Sequence, residues 1–311
     1  MSSTPDKIKI GTRSSKLAIT QTEEIVSILK KHSPDNQIEI IQIKTSGDKI
    51  QDRNLSDIGG KGLFIKELEE ALIKGKIDIA VHSAKDVPPT LHEETELLAF
   101  SQRLDQRDAF ISSKYDSLSE LPKGSIIGTS SARRKSILLN LRPDLKIVNF
   151  RGNVNTRLKK LDDGEVDATI LAVCGLERLN KVRRIKEIIP TNLMLPSGGQ
   201  GALAIQTRKN DKEILKIVKK INHKPTQIRI KTERSFLREL CASCATPVSA
   251  FATIEGDKLS LKTMILDYDG SQIFKTSSSC KIDLKEGIEL GITAANKTKT
   301  EAGELLSKIC K

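Results

Sequence analysis

Ile77-Asp78-Ile79-Ala80-Val81-His82-Ser83-Ala84-Lys85-Asp86-Val87-Pro88-Pro89 is the stretch on which the fold turns. Its first part, Ile77 to Val81, is an apolar run that reads as a buried strand. It stops at two prolines, which cannot continue a ladder of backbone hydrogen bonds. Between run and prolines stand His82, Ser83, Lys85 and Asp86, so the strand presents polar groups at its carboxyl end. Open α/β sheets bind ligands there. Taken alone, the blander reading is the better one: a strand end with a solvated Lys–Asp pair. The chain on either side reverses that.

Upstream, Ile8-Lys9-Ile10 is a short strand leading into Gly11-Thr12-Arg13-Ser14-Ser15. A helix follows from about Lys16 to Lys31, with Ser14 or Ser15 as a natural N-cap. Ile38 to Ile43 reads as a second strand and Thr45 to Asp48 as a turn. Gly59-Gly60-Lys61-Gly62 is a flexible glycine loop. A helix opens at Leu63, with Phe64, Ile65, Leu68 and Leu72 on one face. Downstream, Leu97–Phe100 and Asp108–Ser112 are strands separated by the polar bridge Arg103 to Arg107, a domain crossing.

A second run of alternating elements follows: strand Ser125–Gly128, helix Thr129–Asn140, strand Leu145–Phe150, helix Asn153–Leu161 and strand Val166–Val173. A short helix is expected over Leu176–Lys181. The loop Pro190 to Gly201 then returns the chain to the first unit through strand Ala202–Thr207. The last hundred residues differ. A helix from Thr226 to Leu240 precedes a cysteine loop, three strands (Val248–Ile254, Leu259–Leu266, Gln272–Thr276) and a final helix, Lys285 to Ile309. Alternation of strand and helix means α/β; helix on a small antiparallel sheet means α+β. The expected domains are 1–101 with 197–221, 102–196, and 222–311.

The 311 residues suffice for two or three domains of roughly 100–200 residues. No apolar run approaches the ~18–20 residues of a membrane span. Met1 to Lys9 has no signal-peptide core, so a cytoplasmic protein without membrane contact is expected. The net charge of +12 calls for an anionic partner. Aromatics are 3%, with no Trp, which argues against stacking nucleic-acid bases. A small polycarboxylate fits the charge equally well. Cys174, Cys241, Cys244, Cys280 and Cys310 are odd in number and irregularly spaced, so they are no disulfide framework. Cys241-Ala-Ser-Cys244 lacks the second pair a zinc site needs, and no metal is expected.

One echo is informative. Gly11-Thr12-Arg13-Ser14-Ser15 and Gly128-Thr129-Ser130-Ser131-Ala132-Arg133-Arg134 each follow a short apolar strand and open a helix. Helix N-termini with free N–H groups, hydroxyls and arginine attract anions. Either alone is an ordinary Ser-capped helix start. The recurrence favours two lobes that clasp an anion.

Seven motifs now stand in order: Gly-Thr-Arg-Ser-Ser (11–15), Gly-Gly-Lys-Gly-Leu-Phe (59–64), His-Ser-Ala-Lys-Asp-Val-Pro (82–88), Gly-Thr-Ser-Ser-Ala-Arg-Arg (128–134), Arg-Gly-Asn-Val-Asn-Thr-Arg (151–157), Gly-Gln-Gly-Ala (199–202) and Cys-Ala-Thr-Pro (244–247). The set resembles the hydroxymethylbilane synthase, or porphobilinogen deaminase, family over nearly the whole chain. The resemblance implies two periplasmic-binding-protein-like α/β domains plus a small α+β C-terminal domain. It implies a transferase of porphyrin and haem biosynthesis. Four porphobilinogen molecules join head to tail on a dipyrromethane primer held by a thioether, here to Cys244. Ammonia leaves at each step, and hydrolysis frees a linear tetrapyrrole. A monomer is implied too.

Motif by motif, the resemblance makes Asp86 the catalytic carboxylate. It makes Lys61, Lys85, Thr129, Ser131, Arg133, Arg134 and Arg151 contacts of the cofactor. Arg13, Ser15, Ser83, Arg157 and Arg178 become contacts of the substrate. Two departures stand out. The family usually has Gly-Gly before the cysteine, where this chain has Ala242-Ser243; a Cβ at φ > 0 there would cost about a kcal/mol or more. Cys241 is the other: either it pairs with Cys244, or it is an inert buried thiol, the better reading in a reducing compartment.

The chemistry suits the residues. Each pyrrole brings two carboxylates, and the arginine fork matches a carboxylate in two bonds. Arg142, Arg183 and Arg184 remain candidates for loose surface ion pairs. Phe64 either stacks on a pyrrole or packs in the core. The competing readings are a non-catalytic two-lobed anion-binding protein and, third, a nucleic-acid-binding protein.

Overall fold

A computed structural model of the protein describes residues 7–46, 65–243 and 245–309. The chain divides into two compact units, Met1–Arg103 with Ala202–Gln227, and Leu104–Gly201 with Ile228–Lys311. The passage at Arg103–Leu104 falls inside the polar bridge.

Strands β1 (Lys7–Arg13), β2 (Gln37–Ile43), β3 (Ile79–Ser83) and β4 (Thr95–Phe100) come first. Strands β5 (Asp108–Ser112), β6 (Ile126–Gly128), β7 (Lys146–Val148), β8 (Ala168–Ala172) and β9 (Glu187–Ile189) follow in the second unit. β10 (Leu203–Arg208) returns to the first. The first sheet has the order β2-β1-β3-β10-β4 and the second β7-β6-β8-β5-β9. In the first, β1 is parallel to β2 and β3, and β10 is antiparallel to β3 and β4. In the second, β6 is parallel to β7 and β8, and β5 is antiparallel to β8 and β9. The echo in sequence is thus an echo in topology. Each sheet has a parallel trio led by its middle strand, then one reversed strand. This is the α/β architecture expected.

Both faces of the first sheet are covered, and strand alternation sorts the residues between them. Ile79 and Val81 join Ile25 and Leu29 of helix Lys16–His32 in one core. Ala80 joins Leu68 and Leu72 of helix Lys66–Ile73 in another. That helix begins later than the expected Leu63; Leu63, Phe64 and the glycine loop lie outside the described residues. Helix Lys212–Lys219 adds to the elements read from sequence. Asp211 caps it, accepting from Ile214 N at 3.3 Å, and Ile214, Ile217 and Val218 pack into the first core.

In the second unit the expected helix over 129–140 starts only at Ala132, because Ser131 is its cap and Thr129 N is still paired with Val148 O. The short helix lies at Val173–Arg178 rather than Leu176–Lys181. Strands β11 (Val248–Glu255), β12 (Lys258–Leu266) and β13 (Ile273–Lys281) form an antiparallel meander. β13 runs beyond the expected Thr276, since its polar residues Ser277–Lys281 pair with Lys262–Lys258. The final helix breaks at Ala302 into Leu284–Glu301 and Gly303–Ile309. The meander shares a core with the second α/β sheet: Phe251, Met264 and Leu266 cluster with Phe110, Ile127 and Leu138. Gly270 (φ 75°) lies against helix Ala132–Leu141, and Asn140 Nδ2 donates to its carbonyl at 2.9 Å. No described helix is long and apolar enough to cross a membrane.

Candidate active site

In an open parallel sheet, ligands gather where strand order reverses, outside the carboxyl ends. In the first unit that point lies between β1 and β3, which run side by side with Gly11 opposite Ala80. The carboxyl end of β1 carries Arg13 and Ser15. The carboxyl end of β3 carries Ser83, followed by a single 3-10 turn, Ala84–Asp86, that holds Lys85 and Asp86. Ser15 caps helix Lys16–His32, accepting from Ala18 N at 3.3 Å. Gln21 of that helix donates to Ser83 Oγ at 2.8 Å. Arg13, Ser15, Ser83, Lys85 and Asp86 therefore belong to one strand-end cluster. Lys61 lies outside the described residues.

Behind the cluster, His82 points into the protein. It is 5% exposed, with Nε2 2.9 Å from Gln206 Oε1. Gln206 Nε2 donates to Glu69 Oε1 at 2.7 Å and to Thr95 Oγ1 at 2.8 Å. Its oxygen must then accept, so His82 holds its proton on Nε2. Burial pushes the imidazole down to about 4, while Gln206 and the charges of Glu69 and Asp86 oppose this. His82 is a neutral strut under the turn that bears Asp86, not a group exposed to ligand.

The second unit repeats the plan between β6 and β8. Ser131 caps helix Ala132–Leu141, accepting from Arg134 N at 3.4 Å, and Thr129 Oγ1 accepts from Ser131 N at 3.2 Å. Arg151 follows β7 at the same sheet end. Arg157 Nε donates to Gly152 O at 2.8 Å. Arg178 ends the helix after β8.

Arg133 and Arg134 are buried, and both reach a residue that sequence reading did not single out. Arg133 Nη2 donates to Asp108 Oδ2 and Arg134 Nη2 to Asp108 Oδ1, each at 2.7 Å. Burial alone would raise the Asp108 carboxyl; the two guanidiniums instead hold it far below the usual range. Two cations against one anion leave the group one positive charge in excess. Arg134 Nε is also buried with no hydrogen-bond partner among the described residues. A surplus cation and an unmatched donor fit a group that carries carboxylates.

The cysteine loop departs from expectation. Helix Lys224–Glu239 ends in a Schellman motif: Cys241 N donates to Arg238 O and Ala242 N to Leu237 O, both at 3.0 Å. Cys241 holds the left-handed position, φ 53°, that glycine normally takes. Ala242 and Ser243 carry no positive φ, so the strain expected of them sits one residue earlier. Ser243 instead braces the turn: its Oγ accepts from Ala245 N at 3.2 Å, and its N–H donates to Thr246 Oγ1 at 3.0 Å. Cys241 is exposed, against the expected buried thiol, while Cys174 is buried as expected. Cys244 lies outside the described residues. Cys241→Gly should stabilise the protein by about 1 kcal/mol, since it relieves a Cβ in the left-handed region at an exposed site. The urea midpoint checks this, and an unchanged or lower midpoint would refute it.

Arg142 and Arg184 are ion-paired structural residues. Arg142 chelates Asp144 at 2.8 and 2.7 Å, and Arg184 holds Asp162 at 3.1 and 2.6 Å.

Comparison with known proteins shows the family. The family description "porphobilinogen deaminase, dipyromethane cofactor binding domain" matches residues 8–216, and "porphobilinogen deaminase, C-terminal domain" matches 227–300. The porphobilinogen deaminase of Nitrobacter hamburgensis is 47% identical over 95% of this chain and 93% of its own. That of Brevibacillus brevis is 42% identical over 97% of both chains. That of Rickettsia bellii is 46% identical over 93% of this chain and 97% of its own. Among solved structures, the methionine-binding protein MetQ aligns with 72% of this chain and 91% of its own at 17% identity, with a TM-score of 0.46. Two matches that together span both units, and relatives aligned almost end to end, place this chain in the porphobilinogen deaminase family.

Proposed function

We propose that Asp86 is the catalytic carboxylate and that the basic residues of the two strand-end clusters hold the carboxylates of substrate and cofactor. The family sets the task. The chain is a transferase of tetrapyrrole biosynthesis that joins four porphobilinogen molecules head to tail on a dipyrromethane cofactor, releases ammonia, and frees hydroxymethylbilane by hydrolysis. The observation that carries the residue assignment is the parallel pairing of β1 with β3, which gathers Arg13, Ser83 and Asp86 at one switch point.

When bound, the cofactor would supply the nucleophilic ring carbon that the first pyrrole joins, and the terminal ring of the growing chain would supply it for each pyrrole after that. The chain's own residues do the rest. Arg13, Ser15, Ser83, Arg157 and Arg178 bind the acetate and propionate of the substrate. Lys61, Lys85, Thr129, Ser131, Arg133, Arg134 and Arg151 bind those of the cofactor, and Cys244 anchors it by a thioether. Ser15 and Ser131 set the ends of two helices whose dipoles favour anions.

Asp86 takes its role from sign. The aminomethyl group of porphobilinogen is an ammonium near neutral pH, so it leaves as ammonia without a strong acid. Its departure leaves a cation on the substrate ring. A fixed carboxylate that accepts from the pyrrole N–H stabilises that charge as it develops. Residues 222–311 act as the cofactor-bearing domain. The protein works as a cytoplasmic monomer with no nucleic-acid partner, its basic surplus serving carboxylates.

The test is the intact mass of the purified, denatured chain beside Cys244→Ser. The wild type should exceed its sequence mass by two pyrrole units and the variant should not. A wild-type chain at bare mass that gains nothing from porphobilinogen would leave the anion-binding protein as the reading.

A further inference from the structure

Asp108 opens β5 and is fully buried, and its strand is buried along its whole length. Besides its two arginines it accepts from Gln200 Nε2 at 2.9 Å. Each arginine is pinned a second time, Arg133 Nη1 to Leu195 O and Arg134 Nη1 to Ile170 O, both at 2.8 Å. As packing alone, such a group is a poor solution, because apolar residues of the same volume would serve stability as well or better.

We propose that Asp108 is a positioning residue for Arg133 and Arg134. It fixes both guanidinium planes, so that their remaining N–H groups and the surplus positive charge meet a ligand carboxylate. Asp108 acts through the arginines and touches no ligand itself. The inference rests on the cofactor-binding role proposed above for the two arginines.

Charge and orientation predict opposite outcomes. Loss of the Asp108 charge raises the potential at the arginines, so on charge alone an anion binds more tightly. On orientation it binds less well. The test uses full-length apo chain and follows by intact mass the gain of two pyrrole units from porphobilinogen, normalised to the folded fraction from circular dichroism. Asp108→Asn should load about tenfold more slowly than the wild type. Asp108→Glu, which keeps the charge, should recover part of that rate. A folded Asp108→Asn chain that loads at the wild-type rate or faster overturns the proposal. If Asp108→Asn does not fold, Gln200→Met decides, since it removes the Nε2 donor that Asp108 Oδ1 shares with Gln106 O and leaves both ion pairs. It should load about threefold more slowly, and unchanged loading overturns the proposal. Failure of the underlying reading looks different: Arg133→Met and Arg134→Met chains that load normally remove the arginines from the cofactor site, and the inference falls with them.

Discussion

Asp86→Asn should lower kcat about a thousandfold while leaving the covalent cofactor at least partly in place. Asparagine keeps the shape and an oxygen acceptor but not the charge. A unit charge about 4 Å from a developing cation contributes about 4 kcal/mol at the effective dielectric of a partly solvated site. That matches the thousandfold at roughly 1.4 kcal/mol per decade. The short turn Ala84–Asp86 should survive, because it is held by Ala84 N on Ala202 O at 3.0 Å and by Val87 N on Ala84 O at 3.4 Å, not by the Asp86 side chain. Steady-state turnover beside intact mass checks both halves. Near-normal turnover would remove Asp86 from the chemistry.

Gly291→Ala should destabilise the protein by about 3 kcal/mol, against the usual sign for a helical glycine. Helix propensity favours alanine by about 1 kcal/mol. Packing opposes it. A Cβ at Gly291 would stand 2.5 Å from Thr232 O and 3.0 Å from Phe236 N, backbone atoms of the neighbouring helix that cannot rotate away. It would also crowd Ser235 Oγ, which donates to Ile288 O at 3.0 Å. Overpacking of this kind costs 1–3 kcal/mol or more, so the clash wins. Helix Lys224–Glu239 runs straight into the cysteine loop, so the loaded fraction should fall with the melting temperature. Gly303→Ala, whose Cβ would meet nothing within 4 Å, is the control. A Gly291→Ala protein as stable as that control would refute the crossing.

Much of this was legible in the residues. The apolar run into His82-Ser83-Ala84-Lys85-Asp86 marked a strand end with chemistry on it, and Gly-Thr followed by Ser-Ser and Arg marked two capped helices. What stayed hidden was pairing across distance. Asp108 at the head of an apolar strand looks like strand-edge polarity until Arg133 is seen 2.7 Å away. His82 reads as one more polar group at the carboxyl end, yet alternation turns it inward to Gln206. The exposure of Cys241 followed from a helix-ending motif that normally shows itself by glycine, and a cysteine there gave no signal.

The strand order of the first sheet also constrains how the molecule is made. Among the described residues β10 is the strand that β4 pairs with, and β10 lies between β3 and β4. β4 ends at Phe100 and β10 begins at Leu203. A nascent chain that has emerged through β4 holds a three-strand sheet with an open edge and a loose fourth strand. At synthesis rates of roughly 5–20 residues per second, that edge waits about 5–20 s for its partner. The run Ile79-Ala80-Val81 on the waiting edge is apolar and β-prone, the kind that pairs with a stranger. The amino-terminal unit, though first in sequence, is therefore not the first to close. The turn after β3 that bears Asp86 reaches its final form only when the chain has come back for it.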